Sequence, residues 1–433
     1  MRHGVNAAHQ ISLRWSVLIL LFSVAVATGL LTRSSFPFVL SVPILFYALS
    51  GQTEAKRSFR AEMTADRQRI SAGDEVAVRV TIHTDGPVPF LQVRQTLPEQ
   101  VEEVSGDFEY SGSHDGNEPV VLAFVVRCPR GIHVIAAPLI TSGNSALLQH
   151  SSVQVPQQLR IHAVPRVHPP RSVAVNPPAV NLFPGIIASR RAGSGTQFFD
   201  LRAYRPGDSL RRVSRKSIHG RSGSAGLIVT EFEEERAVDV SIILDVRRMV
   251  YVSNGMSLFE AACEGAAALT ERFIADGNRV SLLLYGGPLQ WAPPGYGKRR
   301  KEMILNELAE ARLREHGAFR SLGQIPLHLL RSGTQLVLVS PLETDDAPDL
   351  CTLHARGFRV LVLRPDRIEA SADELPDDRH TRLARRIVRL EHHGLNADLE
   401  RNGILVLNWP QGQSLAECFA LERARFTAWG RHR

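Results

Sequence analysis

Residues 238–245, VDVSIILD, form a nearly continuous apolar run, which is typical of a strand buried on both faces of a sheet. Residues 257–277, SLFEAACEGAAALTERFIADG, follow with helical periodicity, and the predicted helix ends at Gly277. Residues 279–286, RVSLLLYG, predict the next buried strand. A strand, a helix and a second strand in this order predict a βαβ unit with parallel strands.

The same alternation continues towards the end of the chain. Further strands are predicted at 334–340, 357–365 and 403–409, and further helices at 301–314, 321–331, 346–356, 378–397 and 413–426. The predicted fold class of residues 237–433 is therefore α/β, with a mostly parallel, doubly wound, Rossmann-like sheet. In such sheets ligands bind at the carboxyl ends of the strands.

Upstream of residue 166 the pattern changes to short strands separated by turn residues. In EVAVRVTIHT, residues 75–84, Val76, Val78 and Val80 share one face at period two. Several such strands without a helical period predict a small β-sandwich domain over residues 54–165. A Pro-rich linker is predicted over residues 166–197.

The N-terminal segment, residues 1–53, carries two uncharged apolar runs. They are WSVLILLFSVAVATGLL at 15–31 and FPFVLSVPILFYALS at 36–50, and they predict two transmembrane helices joined as a hairpin. A signal peptide is the alternative, because residues 25–27 (AVA) resemble a cleavage site. Basic residues flank the hairpin, so the positive-inside rule predicts a multi-pass protein of the cell inner (cytoplasmic) membrane. Its soluble domains are predicted to face the cytoplasm.

Composition excludes several other classes of protein. A net charge of +7 over 433 residues is too small for the concentrated basic face of a nucleic-acid-binding protein. The four cysteines lie far apart with no metal-ligand spacing. They therefore give no reason to expect an oxidising compartment.

The most distinctive stretch is FFDLRAYRPGDSLRRVSRKSIHGRSGSAGLIVTEFEEER, residues 198–236. Between 186 and 236, ten Arg and Lys residues accompany six Asp and Glu residues, which favours a network of Arg–carboxylate pairs. Such a network either fixes the segment onto the α/β domain or forms a surface for a partner, and both interpretations stay open. The candidate residues are Asp200, Arg202, Tyr204, Pro206, Gly207, Asp208, Arg211, Arg212, Lys216, Glu231, Glu233 and Glu234.

These residues give the chain a resemblance to a known family. The run D-x-R-x-Y-x-P-G-D, the double arginine and the E-x-E-E-E-R end resemble the bacterial Domain of Unknown Function 58 family. One triplet departs from the family's pattern: residues 214–216 read Ser-Arg-Lys instead of Asn/Asp-Trp-Lys. The resemblance implies two membrane helices, a β-rich module and an α/β domain similar to von Willebrand factor type A. It also implies a protein partner, a MoxR-type AAA+ ATPase.

The resemblance further implies where a metal ion would bind. An intact type A domain carries D-x-S-x-S after its first strand, the metal-ion-dependent adhesion site (MIDAS), whose oxygen ligands suit Mg²⁺. Residues 245–249 here read Asp-Val-Arg-Arg-Met, and the position after the later strand reads Ser340. We therefore expect a degenerate site with the remnants Asp245 and Ser340, without metal or other cofactor. Asp245 is expected to pair with Arg247 or Arg248.

No catalytic motif stands intact in the sequence. There is no G-x-S-x-G elbow, and the stretch at 295–299, GYGKR, lacks the remaining residues of a phosphate loop. We therefore predict a membrane-anchored interaction or scaffold protein and not an enzyme. The MoxR-type ATPase would be its partner in maturation or assembly of envelope-linked complexes. The alternatives are a Mg²⁺-dependent adhesion-type binding domain and a hydrolase with an unrecognised site.

Overall fold

The structure is a computed structural model, and the chain divides into two compact units, Met1–Val164 and Pro165–Arg433. The structure describes residues 8–11, 13–50, 58–143, 149–171, 173, 183–206, 209, 213, 228–251, 255–315, 321–366, 376, 378–410, 412–422 and 425.

The first unit begins with one short strand and two helices, β1 (Ala8–Ile11), α1 (Leu13–Thr32) and α2 (Phe36–Ser50). Among the residues that the structure describes, no helix combines the length and the apolar character needed to cross a bilayer. The predicted transmembrane hairpin is therefore wrong. Helix α2 has 15 residues with Pro43 inside it, so it measures about 22 Å against the roughly 30 Å of a bilayer core. The predicted multi-pass inner-membrane localisation depended on these segments and is wrong with them.

The rest of the first unit consists of β-strands. They are β2 (Phe59–Ala65), β3 (Arg69–Ser71), β4 (Glu75–Thr84), β5 (Val88–Arg94), β6 (Glu102–Gly106), β7 (Glu109–His114), β8 (Val120–Arg127), β9 (Gly131–Ala136), β10 (Leu139–Gly143), β11 (Gln149–Gln154) and β12 (Gln158–Val164). The strand orders are β1-β11-β10-β5-β7, β2-β4-β8-β6 and β3-β12-β9. Every pairing is antiparallel except that between β3 and β12.

Alternation along these strands builds a shared core. In β4 the side chains of Val76, Val78, Val80 and Ile82 are buried while their neighbours point outwards. They pack in one cluster with residues of the other strands, such as Phe124 of β8. Period-two alternation therefore sets which face of the strand is covered.

The second unit contains the remaining elements. They are β13 (Phe183–Ala203), β14 (Ile228–Ala237), β15 (Asp239–Asp245), α3 (Gly255–Ala275), β16 (Arg279–Tyr285), β17 (Gln290–Gly295), α4 (Lys298–Glu310), β18 (Gln335–Val339), α5 (Asp346–Ala355), β19 (Arg359–Pro365), α6 (Arg379–Arg401), β20 (Leu405–Trp409) and α7 (Leu415–Leu421). Two short 3₁₀ turns, Leu322–Gln324 and Leu327–Leu329, occupy the region predicted as a helix at 321–331.

The second unit has a six-stranded sheet with the order β17-β16-β15-β18-β19-β20. Four of its pairings are parallel, but β17 runs antiparallel to β16. Only residues 286–289 join these two strands, which suffices for a hairpin but not for a parallel crossover. This six-stranded sheet is thus mixed. The predicted fold class, a type A-like doubly wound domain after a β-sandwich and a transmembrane hairpin, is wrong.

The remaining sheet of the second unit is a two-stranded ladder of β13 and β14. It is antiparallel and contains several register shifts. Strand β13 begins at Phe183, inside the region predicted as a Pro-rich linker. The ladder continues almost directly into β15, since one residue, Val238, separates β14 from it.

Burial separates the cysteines into two groups. Cys128, Cys263 and Cys418 are buried, while Cys351 is half-buried. Burial raises the pKa of Cys128 to about 11, and burial together with the nearby Glu422 raises that of Cys418 to about 11. At pH 8 only about one in a thousand of these two thiols is ionised, and the thiolate is the reactive form.

We therefore expect iodoacetamide at pH 8 to label Cys351 first in the folded chain. Peptide mass spectrometry over a time course measures the order, and labelling in urea provides the control for intrinsic reactivity. Faster labelling of Cys128 or Cys418 than of Cys351 in the folded chain would contradict the described burial.

Candidate functional site

Two neighbouring parallel strands of the six-stranded sheet end side by side. Asp245 is the last residue of β15, and Ser340 directly follows β18. Residues Leu244 and Val339 are register partners, which brings the two strand ends to the same edge. Asp346 is the first residue of α5, the helix after this strand end. The fold thus places two carboxylates and a hydroxyl where open α/β sheets commonly bind ligands.

The Asp245 carboxylate is fully buried and accepts hydrogen bonds at both oxygens. Its Oδ1 accepts from the backbone N–H of Arg247 at 2.9 Å and from the Arg247 Nε at 3.1 Å. Its Oδ2 accepts from Arg247 Nη2 at 2.8 Å and from the Ser340 hydroxyl at 2.7 Å. The guanidinium thereby binds the carboxylate in a bidentate geometry, which makes such hydrogen bonds strong.

Arg247 also reaches a second carboxylate. The same Nη2 donates to Asp346 Oδ2 at 2.7 Å, and the carbon at the centre of the guanidinium lies 4.6 Å from the centroid of the Tyr285 ring. The Asp245 and Asp346 side chains are almost completely buried, and that of Arg247 is about nine-tenths buried. We call Asp245, Arg247, Ser340 and Asp346 the carboxyl-edge cluster.

The backbone around the cluster is shaped to hold it. Gly286 has φ +102°, and a Cβ there would lie 2.3 Å from Cγ of Arg247, so this position requires glycine. Leu342 has φ +62°, an uncommon conformation for a non-glycine residue, and its N–H donates to the Ser340 hydroxyl at 3.0 Å. The N–H of Glu343 donates to Asp346 Oδ2 at 2.9 Å.

The charges in the cluster depend on one another. Burial raises the pKa of the Asp245 carboxyl, and the hydrogen bonds from Arg247 and Ser340 act against that rise. Burial would lower the pKa of Arg247, but its bonds to Asp245 and Asp346 outweigh burial, and the net pKa is raised. An arginine does not lose its proton in proteins. The raised pKa of Arg247 therefore decides the charge state of the cluster. The guanidinium is therefore a permanent cation between the two acids.

The oxygens of the cluster are of the type that Mg²⁺ prefers, but their arrangement does not fit a bound divalent ion. One nitrogen, Nη2 of Arg247, lies 2.8 Å from Asp245 Oδ2 and 2.7 Å from Asp346 Oδ2, in the position between the carboxylates. A cation there would have to displace the guanidinium. Among the described residues, no group of three or more His, Cys, Asp and Glu side chains is arranged to hold a metal ion.

The surface beside the cluster is exposed. Arg248 lies 3.4 Å from Glu315, both side chains being about two-thirds exposed. Met249 is 70% exposed, and Leu289, just after β16, is also exposed. Arg248 therefore does not share the role of Arg247: it belongs to a rim around the buried ion pairs.

Seven of the twelve predicted signature residues lie among the described residues. In the β13–β14 ladder, Asp200 is the register partner of Glu231. The backbones of Arg202, Glu233 and Glu234 lie in the same ladder. Tyr204 is half-buried and Pro206 is exposed. The predicted residues Gly207, Asp208, Arg211, Arg212 and Lys216 lie outside the described residues, so the two interpretations of this segment stay predictions.

Sequence reasoning missed two members of this neighbourhood. Asp346 was overlooked because it stands six residues beyond Ser340, at a helix start where exposed acids are common. The ring of Tyr285, which covers Arg247, was counted only as part of an apolar strand. A signal was present in the sequence: a buried arginine requires counter-charges, and Glu343, Asp345 and Asp346 are the first acids after the end of β18.

A cavity of about 640 Å³ was also missed. It lies between α3 and the carboxyl ends of β19 and β20, and its lining includes Arg166, His168, Glu260, Glu264 and Trp409. Burial raises the pKa of the Glu264 carboxyl, an effect that Arg166 and His168 oppose. The volume is that of a small-molecule pocket, but none of the predicted site residues that the structure describes lines it.

A protein-family model matches part of this chain. The model of a family described as "Protein of unknown function DUF58" matches residues 200–385. This match supports the DUF58 family. The matched range contains the signature residues from Asp200 onwards and the whole carboxyl-edge cluster.

A relative and two solved structures resemble the chain more distantly. "Uncharacterized protein YeaD" of Bacillus subtilis (strain 168) is 22% identical over 383 residues, which cover 82% of this chain and 88% of that protein. Native alpha-2-macroglobulin from Escherichia coli, spanning domain MG7 to the C-terminus, is 12% identical over 26% of this chain and 25% of that chain, with a TM-score of 0.18. Cwp6 from Clostridium difficile is 10% identical over 84% of this chain and 52% of that chain, with a TM-score of 0.16.

The cluster makes a direct prediction for stability. We expect Arg247→Ala to lower the free energy of unfolding by about 3–5 kcal/mol, because it leaves two buried carboxylates without their counter-charge. Urea denaturation followed by circular dichroism measures the loss. Arg248→Ala is the matched control and should change stability by less than about 0.5 kcal/mol, since its ion pair is exposed. Equal effects of the two substitutions would refute the difference in role.

A second prediction concerns cations. Millimolar Mg²⁺ should leave the thermal midpoint of the wild-type chain unchanged, because the guanidinium occupies the space between the carboxylates. In Arg247→Ser, two carboxylates and the Ser340 hydroxyl remain and the substitution adds a second hydroxyl, so Mg²⁺ should raise the midpoint by mass action. Differential scanning calorimetry with Mg²⁺ or EDTA measures both. A Mg²⁺-dependent rise in the wild type would contradict the arrangement.

Proposed function

We propose that this chain is a protein-interaction scaffold, not an enzyme, and that it binds a MoxR-type AAA+ ATPase. In this proposal the two proteins act together in the maturation or assembly of a larger protein complex. The carboxyl edge of the six-stranded sheet supplies the docking surface. The resemblance to the DUF58 family supports the choice of partner, and the exposed residues at the carboxyl edge support the choice of surface.

The carboxyl-edge cluster is the observation that carries the proposal. Both oxygens of Asp245 accept hydrogen bonds from Arg247, and Oδ2 of Asp346 accepts from the same guanidinium. A general base or nucleophile needs an acceptor directed at a substrate, whereas these oxygens are directed at a fixed internal cation. The cluster therefore suits a rigid support for the loops above it better than it suits catalysis.

The exposed rim provides the contact side chains. Met249 is 70% exposed, and Arg248 pairs with Glu315 at the surface, where both side chains are about two-thirds exposed. Flexible methionines and arginines are enriched in protein–protein interfaces. Recognition here would depend on charge and shape, without a metal ion bridging the two proteins.

The test is binding of the purified full-length chain to the purified MoxR-type ATPase of the same genome, measured by biolayer interferometry with ATP or ADP present. We expect Arg248→Glu combined with Met249→Ser to weaken binding about ten-fold, since both side chains would lie in the contact.

The matched control is Arg356→Glu combined with Leu421→Ser. These exposed residues end α5 and α7, which run away from the carboxyl edge, and the charge change is the same. No binding by the wild-type chain would refute the proposed partner. Equal weakening by the two double variants would refute the proposed surface.

A further inference from the structure

Helix α6 (Arg379–Arg401) has two different faces. At about 100° per residue, Asn396 and Leu399 lie roughly opposite the residues Leu383, Ile387 and Leu390. Leu399 is part of the core beneath the sheet. Asn396 accepts from Arg364 at 2.9 Å and donates to Asn408 of β20 at 3.2 Å. One side of the helix is therefore anchored to the domain.

The opposite side carries apolar side chains that face solvent. Leu383, Ile387 and Leu390 are 56%, 49% and 65% exposed, and their i, i+4, i+7 spacing places them within a sector of about 60°. We call these three residues the outer stripe. Because Asn396 and Leu399 fix the helix, it cannot rotate to bury the stripe. Within the described residues nothing covers the stripe, so a further surface must do so if it is to leave water.

The charges beside the outer stripe select what can cover it. Arg379, Arg382 and Arg386 are exposed and lie along one flank of the stripe. Over the whole helix, six arginines accompany three acids, Glu391, Asp398 and Glu400, and the last two of these acids lie beyond the stripe, in the final turn. A second copy of this chain would bring the same arginines face to face, which like charges disfavour. An acidic surface is complementary to it.

Gly394 extends the same side of the helix by one turn. It lies about 20° from Leu383 around the helix axis, and a Cβ added there would meet nothing within 4 Å. A glycine inside a helix weakens it, and the described packing gives no compensation here. The position leaves room for the close approach of another backbone.

We propose that the outer stripe and its arginines form a docking site for an acidic amphipathic helix of a partner protein. The i, i+4, i+7 anchors are those by which helices and apolar grooves recognise each other. A lipid surface fits less well, because interfacial helices use a broad apolar face with aromatic residues, whereas this stripe has three aliphatic side chains. The inference rests on the proposed function in that the partner is a protein, but the surface is a different one.

The test uses a synthetic fluorescent helical peptide with leucines at i, i+3, i+4 and i+7 and glutamates at its other positions. Fluorescence anisotropy measures its binding to the full-length chain. A peptide with lysines replacing the glutamates should bind at least ten-fold more weakly. Leu383→Ser/Ile387→Ser/Leu390→Ser should weaken binding of the acidic peptide roughly ten-fold, and so should Arg382→Glu/Arg386→Glu. Added salt should weaken binding to the wild type.

Lys298→Glu/Arg299→Glu is the matched control, because it makes the same charge change at exposed positions on α4. It should leave the affinity within about two-fold, and circular dichroism checks that every variant is folded. Absence of acidic-peptide binding, or equal binding by wild type and the triple variant, overturns the proposal. Stripe-dependent binding to phosphatidylglycerol vesicles but not to the peptide overturns it in favour of a lipid, and stripe-dependent dimerisation overturns it in favour of a second copy. The ATPase is absent from this assay, so its result leaves the proposed function to be judged separately.

Discussion

The Arg247 guanidinium lies between two buried carboxylates, and the carboxyl edge of the six-stranded sheet depends on it. Removing a charged group from water costs several kcal/mol per ion. Burial of Asp245, Arg247 and Asp346 is therefore stable only when all three are present and paired. Their bonds tie the end of β15 to the loop after β18 and to the start of α5. Gly286 and Leu342 adopt positive φ beside them, which shows how closely the backbone follows the ion pairs.

This constraint bears on function. A site with an open position for a ligand needs polar atoms that are not already used, whereas the described bonds direct the carboxylates of the cluster inwards. The residues that this edge exposes to solvent include Arg248 and Met249. The second exposed surface, on α6, is likewise positioned by buried polar contacts of Asn396. In both places internal polar contacts fix an outer surface, which favours recognition of a preformed partner.

The sequence predicted individual strands and helices better than it predicted how they assemble into sheets. The strand at 238–245 was recognisable from its nearly continuous apolar run, and residues Asp239–Asp245 are indeed all buried. Asp245 and Ser340 were named because the resemblance to the DUF58 family implied a metal site at these positions. Asp346 was not recognisable, since burial of a helix-start acid depends on a distant arginine. The antiparallel strand β17 escaped prediction because it contains Pro293 and Pro294, which are unusual within a strand. The membrane prediction failed because it counted uncharged residues and gave too little weight to the length of α2 and to Pro43.

A double-mutant cycle between Arg247 and Asp346 tests the central claim most directly. Unfolding free energies of the wild type, Arg247→Ala, Asp346→Ala and the double variant give the coupling energy of the pair. If the guanidinium is the internal cation of the cluster, the double variant should be more stable than additivity predicts by about 2–3 kcal/mol, because it leaves fewer unpaired buried charges. Additive effects, within about 0.5 kcal/mol, would contradict the account.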